Sequence, residues 1–301
     1  ADMQFGFLYD KASRLLSIGY NVDERRRDAS YYDLLASEAR LSVFVAIAQG
    51  QLPQESWFAL GRLLTSSGGA PILLSWSGSM FEYLMPQLVM PTYDNTLLDQ
   101  TARAVVARQI EYGQQQGLPW GMSESGYNTV DVQLNYQYRA FGVPGLGLKR
   151  GLAEDLVVAP YATALALMVA PQAACLNLQR LAATGVEGRY GLHEAIDYTP
   201  ARQRRGESHA IVRSYMAHHQ GMSLLALATY THAQAPAPDN LEKLSNFQTT
   251  GVTEFTFVDQ AGEYADGIKK TLERIKLPAG FKIGLYAVVP DARHMAVGPQ
   301  G

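Results

Sequence analysis

At 301 residues the chain is long enough for one large domain or two ordinary ones, and 47% hydrophobic with 18% charged residues describes a packed protein, not a disordered one. A net charge of −3 gives no electrostatic reason to expect nucleic acid, so function must come from a site. The single cysteine, Cys175, excludes an internal disulfide and is expected as a small buried hydrophobe.

Two strand-like stretches, FGFLYD and LLSIGYNV, open the chain. Ala1 is not an initiator methionine and no signal peptide follows it, so the chain is expected to begin inside a longer protein. Asp28-Ala29-Ser30 is a capping signal for a helix over 31–49, where Leu34, Leu35, Leu41, Phe44, Val45 and Ala48 recur at helical spacing. Pro53 starts a second helix, QESWFALGRLL, and a glycine-rich turn leads to LLSWSGSMFEYLMPQLVM. Asp94-Asn95 caps the long helix TLLDQTARAVVARQIEYGQQQ. Beyond the loop WGMSESGYN and the aromatic segment LNYQYRAFGVPGLGLKRG, helices are expected near 158–170, 172–184 and 212–230. Helix after helix, broken by aromatic and acidic loops, predicts an all-α fold, an (α/α) toroid rather than a simple bundle, over residues 1–232. HAQAPAPDN marks a linker over 233–250. FKIGLYAVV then alternates with period two, with Phe281, Ile283, Leu285 and Val289 on one face, which predicts a strand in a tail over 251–301. The most apolar run, LVVAPYATALALMVAP, is interrupted by Pro160 and is a buried helix rather than a membrane span.

Three acids stand in company that suits sugar chemistry, which needs two carboxylates about an anomeric carbon. Glu38 in YYDLLASEARL lies at the edge of an apolar helical stripe; the alternative is a solvated acid paired with Arg40 or Arg62. Glu82 in WSGSMFEYLMP is an acid inside an apolar helix, where burial would raise its pKa; the alternative is a structural acid bonded to Ser77 or a tyrosine. Glu124 in WGMSESGYN stands on non-helical backbone between Trp120 and Tyr127. His218 and His219 point about 100° apart on a helix and lack the partners of a metal site. GVPGLG and GLGLKRG lack the strand–GxGxxG–helix order of a dinucleotide site and are loop glycines. The basic runs at 25–27 and 202–205 are expected as solvated turns.

FGFLYD, SYYDLLASEARL, SWSGSMFEYLMP, LLDQTARAVVARQIEYG, PWGMSESGYN, LNYQYRAFGVPGLGLKRGL, EAIDYTP and SYMAHHQGMSL follow one another in this order. Together, over about residues 3–230, they resemble the glycoamylase-like domain of cyclic β-1,2-glucan synthases. The resemblance implies an (α/α)6 toroid, here incomplete at its N-terminal side. It implies retaining transglycosylation that cyclises a linear β-1,2-glucan. Hydrolysis of the glucan and non-catalytic glucan binding are the alternatives. The implied partners are the glucan itself and the glycosyltransferase and phosphorylase-like modules of the same polypeptide. The implied place is the cytoplasmic side of a bacterial inner membrane, with this segment itself soluble. No cofactor, metal or nucleic acid is expected.

The family's catalytic pair falls on Glu124 as nucleophile and Glu38 as acid/base, with Glu82 in reserve. Trp76, Trp120, Tyr127, Tyr136, Tyr138, His218 and Gln220 are the implied subsite residues. Asp33, Asp131, Arg139 and Asp197 are implied to bind sugar hydroxyls or orient the acids. The tail over about 250–301 instead resembles the opening of a PQQ-dependent, sorbosone-type sugar dehydrogenase, whose cofactor residues would lie beyond residue 301.

Overall fold

The computed structural model of the protein describes residues 3–67, 69–233, 265–266, 269–270 and 295–296. The expected linker beyond residue 233, the strand at 281–289 and all of the tail except residues 265–266, 269–270 and 295–296 lie outside these residues.

Two short hairpins lead in. The first pairs β1 (Tyr9–Asp10) with β2 (Leu15–Leu16), and the second pairs β3 (Tyr20–Asn21) with β4 (Arg26–Arg27). The exposed arginines of β4 match the solvated turn expected at 25–27. Helix α1 spans Ser37–Ala48 and begins six residues later than the periodicity predicts. The delay has a local cause. Asp33 Oδ1 accepts hydrogen bonds from the N–H groups of Leu35 and Ala36, at 2.9 and 3.2 Å, and holds 33–36 in a turn that competes with the helix.

Helix α2 (Glu55–Ala59) also stops early. Arg62 folds back and donates to the carbonyls of Trp57, Phe58 and Leu60, consuming the acceptors a longer helix would need. The residues freed form a hairpin, β5 (Leu64–Ser67) with β6 (Ala70–Leu73). Helix α3 (Met80–Leu84) opens on a capping box: Ser79 accepts from the Glu82 N–H, and Glu82 reaches back to the Ser79 N–H. Helix α4 (Leu97–Gln116) is capped by Thr96 and closed by Gly117 in the left-handed region, at φ 68°.

Beyond α4 the chain alternates. Hairpin β7 (Ser125–Val130)–β8 (Tyr136–Arg139) is followed by β9 (Val157–Val158), α5 (Pro160–Leu165) and α6 (Pro171–Leu181). Then come β10 (Glu187–Gly188), β11 (Gly191–Leu192), β12 (Ala195–Asp197), β13 (Ala210–Val212), β14 (Ser214–Tyr215) and α7 (Ala217–Ala233). β12 is central in a three-stranded antiparallel sheet, in the order β13-β12-β9. β14 pairs antiparallel with β15 (Met295–Ala296).

The all-α expectation therefore undercounts strand. Runs of two to six residues carry few alternations to register as a period, and 125–139 and 210–215 were hidden that way. The main core is helical nonetheless. Residues from α1, α3, α4, α5, α6 and α7 bury one apolar cluster that runs from Leu34 to Ala226. Two smaller clusters lie along the sheet, one around Phe141 and Val212, the other around Leu181 and Ile196.

Two expectations are corrected. Cys175 is exposed on α6, because the buried stripe of that helix runs through Ala174, Asn177 and Leu181. Arg202, placed in a solvated basic turn, is instead the hub of a partly buried ion network with Asp155 and Asp197. The glycines of GVPGLG lie in a loop as read, and one has a sharper role. A Cβ on Gly142 would stand 1.9 Å from the Ser77 carbonyl oxygen, so only glycine lets this segment touch the turn before α3. Among the described residues, no helix is long and apolar enough to cross a membrane.

The compact unit formed mainly by residues 1–230 holds every site residue discussed below, and residues 231–293 form a second unit.

Candidate active site

The segment 120–124 is held on every side by buried polar groups. Gln109 on α4 donates through Nε2 to the Met122 carbonyl at 2.8 Å and accepts the Met122 N–H at 2.9 Å. Asn177 on α6 does the same for Trp120, accepting its N–H at 3.2 Å and donating to its carbonyl at 2.7 Å. Both amides are about 1% exposed. A Met122–Val158 bridge ties the segment to the sheet. Ser123 Oγ accepts the Phe81 N–H at the start of α3. Tyr161 Oη, from α5, lies 2.7 Å from Ser123 Oγ and 2.8 Å from the Glu124 carbonyl. Four helices thus fix one loop, and Glu124 stands at its end.

The Glu124 carboxyl is half-buried, and Tyr138 Oη on β8 donates to its Oε2 at 3.1 Å. Burial pushes its pKa up to about 7; the Tyr138 bond opposes the rise, and the charges of Glu82 and Glu38 add to it. Glu38, in the first turn of α1, is exposed and acts on Glu124 through its charge. The two arginines offered as its partners both donate to backbone carbonyls. Arg40 donates to those of Glu82 and Tyr83 at the end of α3, and burial lowers its pKa to about 10. Arg62 serves α2.

Glu82 is tied down by serines. Its oxygens accept from Ser75 Oγ at 2.9 Å, Ser77 Oγ at 2.5 Å, Ser79 Oγ at 3.0 Å and the N–H groups of Ser77 and Ser79. A carboxylate so fully bonded organises the turn before α3. The Ser79-x-x-Glu82 spacing was the signal for that role.

The remaining expected residues divide. Tyr138, Trp76 and His218 are exposed, and Trp76 is 67% open. Gln220 lines a cleft of about 330 Å³ with Tyr161, His193, Glu194 and His219, and donates to the Leu192 carbonyl. Trp120 is corrected: it is 4% exposed and packs in the main core, so it cannot stack on a ligand. Asp197 is corrected likewise. Fully buried on β12, it accepts from Arg202 Nε at 2.6 Å, the Asn128 N–H at 3.0 Å and the Thr199 N–H at 2.9 Å. Arg139 pairs with Asp155, and its guanidinium stacks over Tyr127 and Phe141. Arg202 covers Tyr127 as well, which leaves that ring partly enclosed. Tyr136 packs on the Phe141 cluster and accepts the Arg213 N–H. Asp131 closes the β7–β8 turn by accepting from Gln133 and Asn135. Asp33 forms the turn before α1.

The sequence reading missed Glu194 and Tyr161, and weighed His219 only as a metal ligand or a hydrogen-bonding histidine without placing it in the site. His219 is 1% exposed, with Nδ1 at 2.9 and 3.1 Å from the two Glu194 oxygens, and its ring stacks on Tyr161 at 3.7 Å. Glu194 also accepts the Gly126 N–H. Burial and the Glu124 charge hold both Tyr138 and Tyr161 well above the usual tyrosine range. The signal for Glu194 was available: HEAI places an acid against apolar strand residues, as MFEYL does for Glu82. A larger cleft of about 530 Å³ lies between α1, α2 and residues 90–98; its lining is mostly apolar and includes none of the three acids.

A half-buried carboxyl on a fixed loop, bonded by the Tyr138 hydroxyl and within reach of the charges of Glu82 and Glu38, stands on a scaffold of the α-helical toroid class. The glycoamylase family model matches residues 30–234, and the chain belongs to that family. It is 53% identical over 226 residues to the cyclic β-(1,2)-glucan synthase NdvB of Rhizobium meliloti (strain 1021). The match takes in 75% of this chain but only 8% of that protein. Two solved structures share the fold. An endo-β-1,2-glucanase from Chitinophaga pinensis, in complex with sophorotriose and glucose, matches at TM-score 0.54 and 15% identity, over 76% of this chain and 56% of its own. An endo-β-1,2-glucanase from Talaromyces funiculosus, in complex with sophorose, matches at TM-score 0.56 and 14% identity, over 74% and 48%. These likenesses give the dehydrogenase resemblance of the tail no support.

Proposed function

We propose that this chain is the cyclising domain of a β-1,2-glucan synthase, acting by retaining transglycosylation with Glu124 as nucleophile and Glu38 as acid/base. The observation that carries the reading is Glu124: a half-buried carboxyl on a loop clamped by four helices, its pKa raised by burial and by the charges of Glu82 and Glu38. The identity to NdvB supports the substrate.

In the first step Glu124 forms a bond to the sugar C1 as the C1–oxygen bond to the leaving sugar breaks, and Glu38 gives its proton to that oxygen. In the second, a 2-hydroxyl from the far end of the same glucan attacks C1, returns a proton to Glu38 and releases Glu124. Ring closure leaves no end and consumes no water. Tyr138, exposed beside Glu124, and the open face of Trp76 are the subsite candidates the geometry favours. The likeness to two endo-β-1,2-glucanases favours a second reading, in which water replaces the 2-hydroxyl. In the parent polypeptide, glycosyltransferase and phosphorylase-like modules would supply and trim the chain at the cytoplasmic face of an inner membrane.

Incubation with linear β-1,2-glucan, read by mass spectrometry, tests the proposal. A cyclic product is lighter by one water than the linear chain of equal length, whereas hydrolysis gives shorter linear chains. Glu124→Gln and Glu38→Gln are each expected to cut turnover by about 10³-fold or more. Full activity in either variant removes the pair.

A further inference from the structure

Tyr138 has one proton and two acceptors. Its Oη lies 3.1 Å from Glu124 Oε2 and 3.5 Å from His219 Nε2. On the other side of the imidazole, Nδ1 meets both oxygens of the buried Glu194. A carboxylate only accepts, so Nδ1 carries the hydrogen, and in the tautomer with its hydrogen on Nδ1 the imidazole presents Nε2 as an acceptor. The stacked Tyr161 ring fixes the plane of the imidazole, so Nε2 stays aimed at Tyr138. Nothing in the two-step reaction requires this chain of groups, yet three of its four members are buried or half-buried and each contacts the next.

We propose that Glu194 and His219 are a positioning dyad for the reaction, acting through Tyr138 as a hydrogen-bond switch on Glu124. With Glu124 ionised, the shorter contact and the charge draw the Tyr138 hydrogen to Oε2. With Glu124 neutral, by taking up a proton or by bonding to sugar C1, that acceptor weakens and the hydroxyl turns to Nε2. No proton leaves Tyr138 in either position; only its hydrogen bond changes partner. Tyr138 is thereby kept in place through the covalent intermediate, ready to receive the carboxylate when the sugar departs. The groups facing Glu124 are Tyr138 on β8, Tyr161 on α5, Glu38 on α1 and Glu82 on α3. Those facing His219 are Glu194, Tyr138, Tyr161 and the neighbouring His218. The proposal rests on Glu124 as the reacting carboxyl, and its test needs no turnover.

The Glu124 carboxyl is followed by carbon-13 NMR in chain labelled at glutamate, its resonance assigned by its loss in Glu124→Gln. Tyr138→Phe removes the donor to the anion and is expected to raise the Glu124 midpoint by about half to one pH unit. Glu194→Gln makes Nε2 a poorer competitor for the Tyr138 hydrogen, so the midpoint falls, by less than Tyr138→Phe raises it. In the Tyr138→Phe background the Glu194→Gln shift is expected to shrink by at least half. An equal shift in both backgrounds means that Glu194 acts by charge through space, and overturns the proposal. No shift in either background overturns it too.

A second measurement covers the case in which Glu194→Gln does not fold. The nitrogen-15 resonance of His219 Nε2 should inflect with the Glu124 titration in the unmodified chain and lose that inflection in Tyr138→Phe. An inflection that survives in Tyr138→Phe rejects the switch. Retained turnover in Glu124→Gln would instead reject the catalytic reading while leaving these couplings in place.

Discussion

Glu124 is pulled two ways by its surroundings, and the balance sets a testable sign. Burial raises its pKa from 4.5 to about 7, while the Tyr138 hydroxyl acts in the opposite direction. A carboxyl whose folded pKa lies above its unfolded value favours folding at low pH. That contribution is complete below about pH 4.5 and is lost as pH rises through about 7. Glu124→Gln removes the ionisation, so it should stabilise the protein at pH 8, by up to about 3 kcal/mol, and change little at pH 4. Denaturant melts at the two pH values decide this; an equal effect at both would deny the shift. The same ionisation separates the two catalytic roles. As nucleophile Glu124 must be an anion, so kcat/KM should climb as pH approaches 7; as the proton donor it would decline over that range. Sequence reading found this residue because an acid in a loop of small residues is conspicuous. It passed over Glu194 and gave His219 no place in the site, because an acid just before a short strand and a histidine inside a helix show their partnership only in space.

Among the elements, α4 and α6 are built to hold the acidic loop as much as to pack. Each turns one buried amide toward the backbone of 120–122, and each amide satisfies both a donor and an acceptor there. Gln109→Leu and Asn177→Leu should each cost about 2–4 kcal/mol, because two buried backbone groups lose their partners at once. Turnover should fall further than the loss of folded protein explains, since Glu124 loses its anchor; chemical melts beside activity on the folded fraction separate the two. In sequence, both amides read as polar positions on amphipathic helices, and only burial distinguishes a clamp from a solvated side chain. Arg202 makes the same point for the sheet. Its guanidinium joins Asp197 on β12 to Asp155 and covers Tyr127 of β7. Arg202→Ala, which leaves Asp197 buried and unpaired, should cost about 3–5 kcal/mol, and Arg202→Lys should rescue little because a lysine cannot reproduce the fork. Thermal melts of the two variants measure both expectations.

At the scale of the whole molecule, the site draws on residues from Glu38 to His219, and the main core runs from Leu34 to Ala226. No single helix or hairpin carries enough of the site to form it alone. The acidic loop should therefore melt with the rest of its unit. In a Trp57→Phe, Trp76→Phe background, Trp120 alone reports on the loop, and its fluorescence transition should coincide with the loss of helical circular dichroism. An earlier tryptophan transition would mean that the loop opens separately. The succession of helices and the family were legible in sequence, because long periodic helices and long motifs survive as patterns. The sheet beside the site was not, since strands of two or three residues are defined by pairing partners far away in the chain.

The exposed thiol of Cys175 lies two residues before Asn177 on α6, and it is the chain's single cysteine. A spin label or fluorophore attached there needs no engineered background. Its mobility would report, in real time, whether the helix that grips Trp120 stays still when β-1,2-glucan is added.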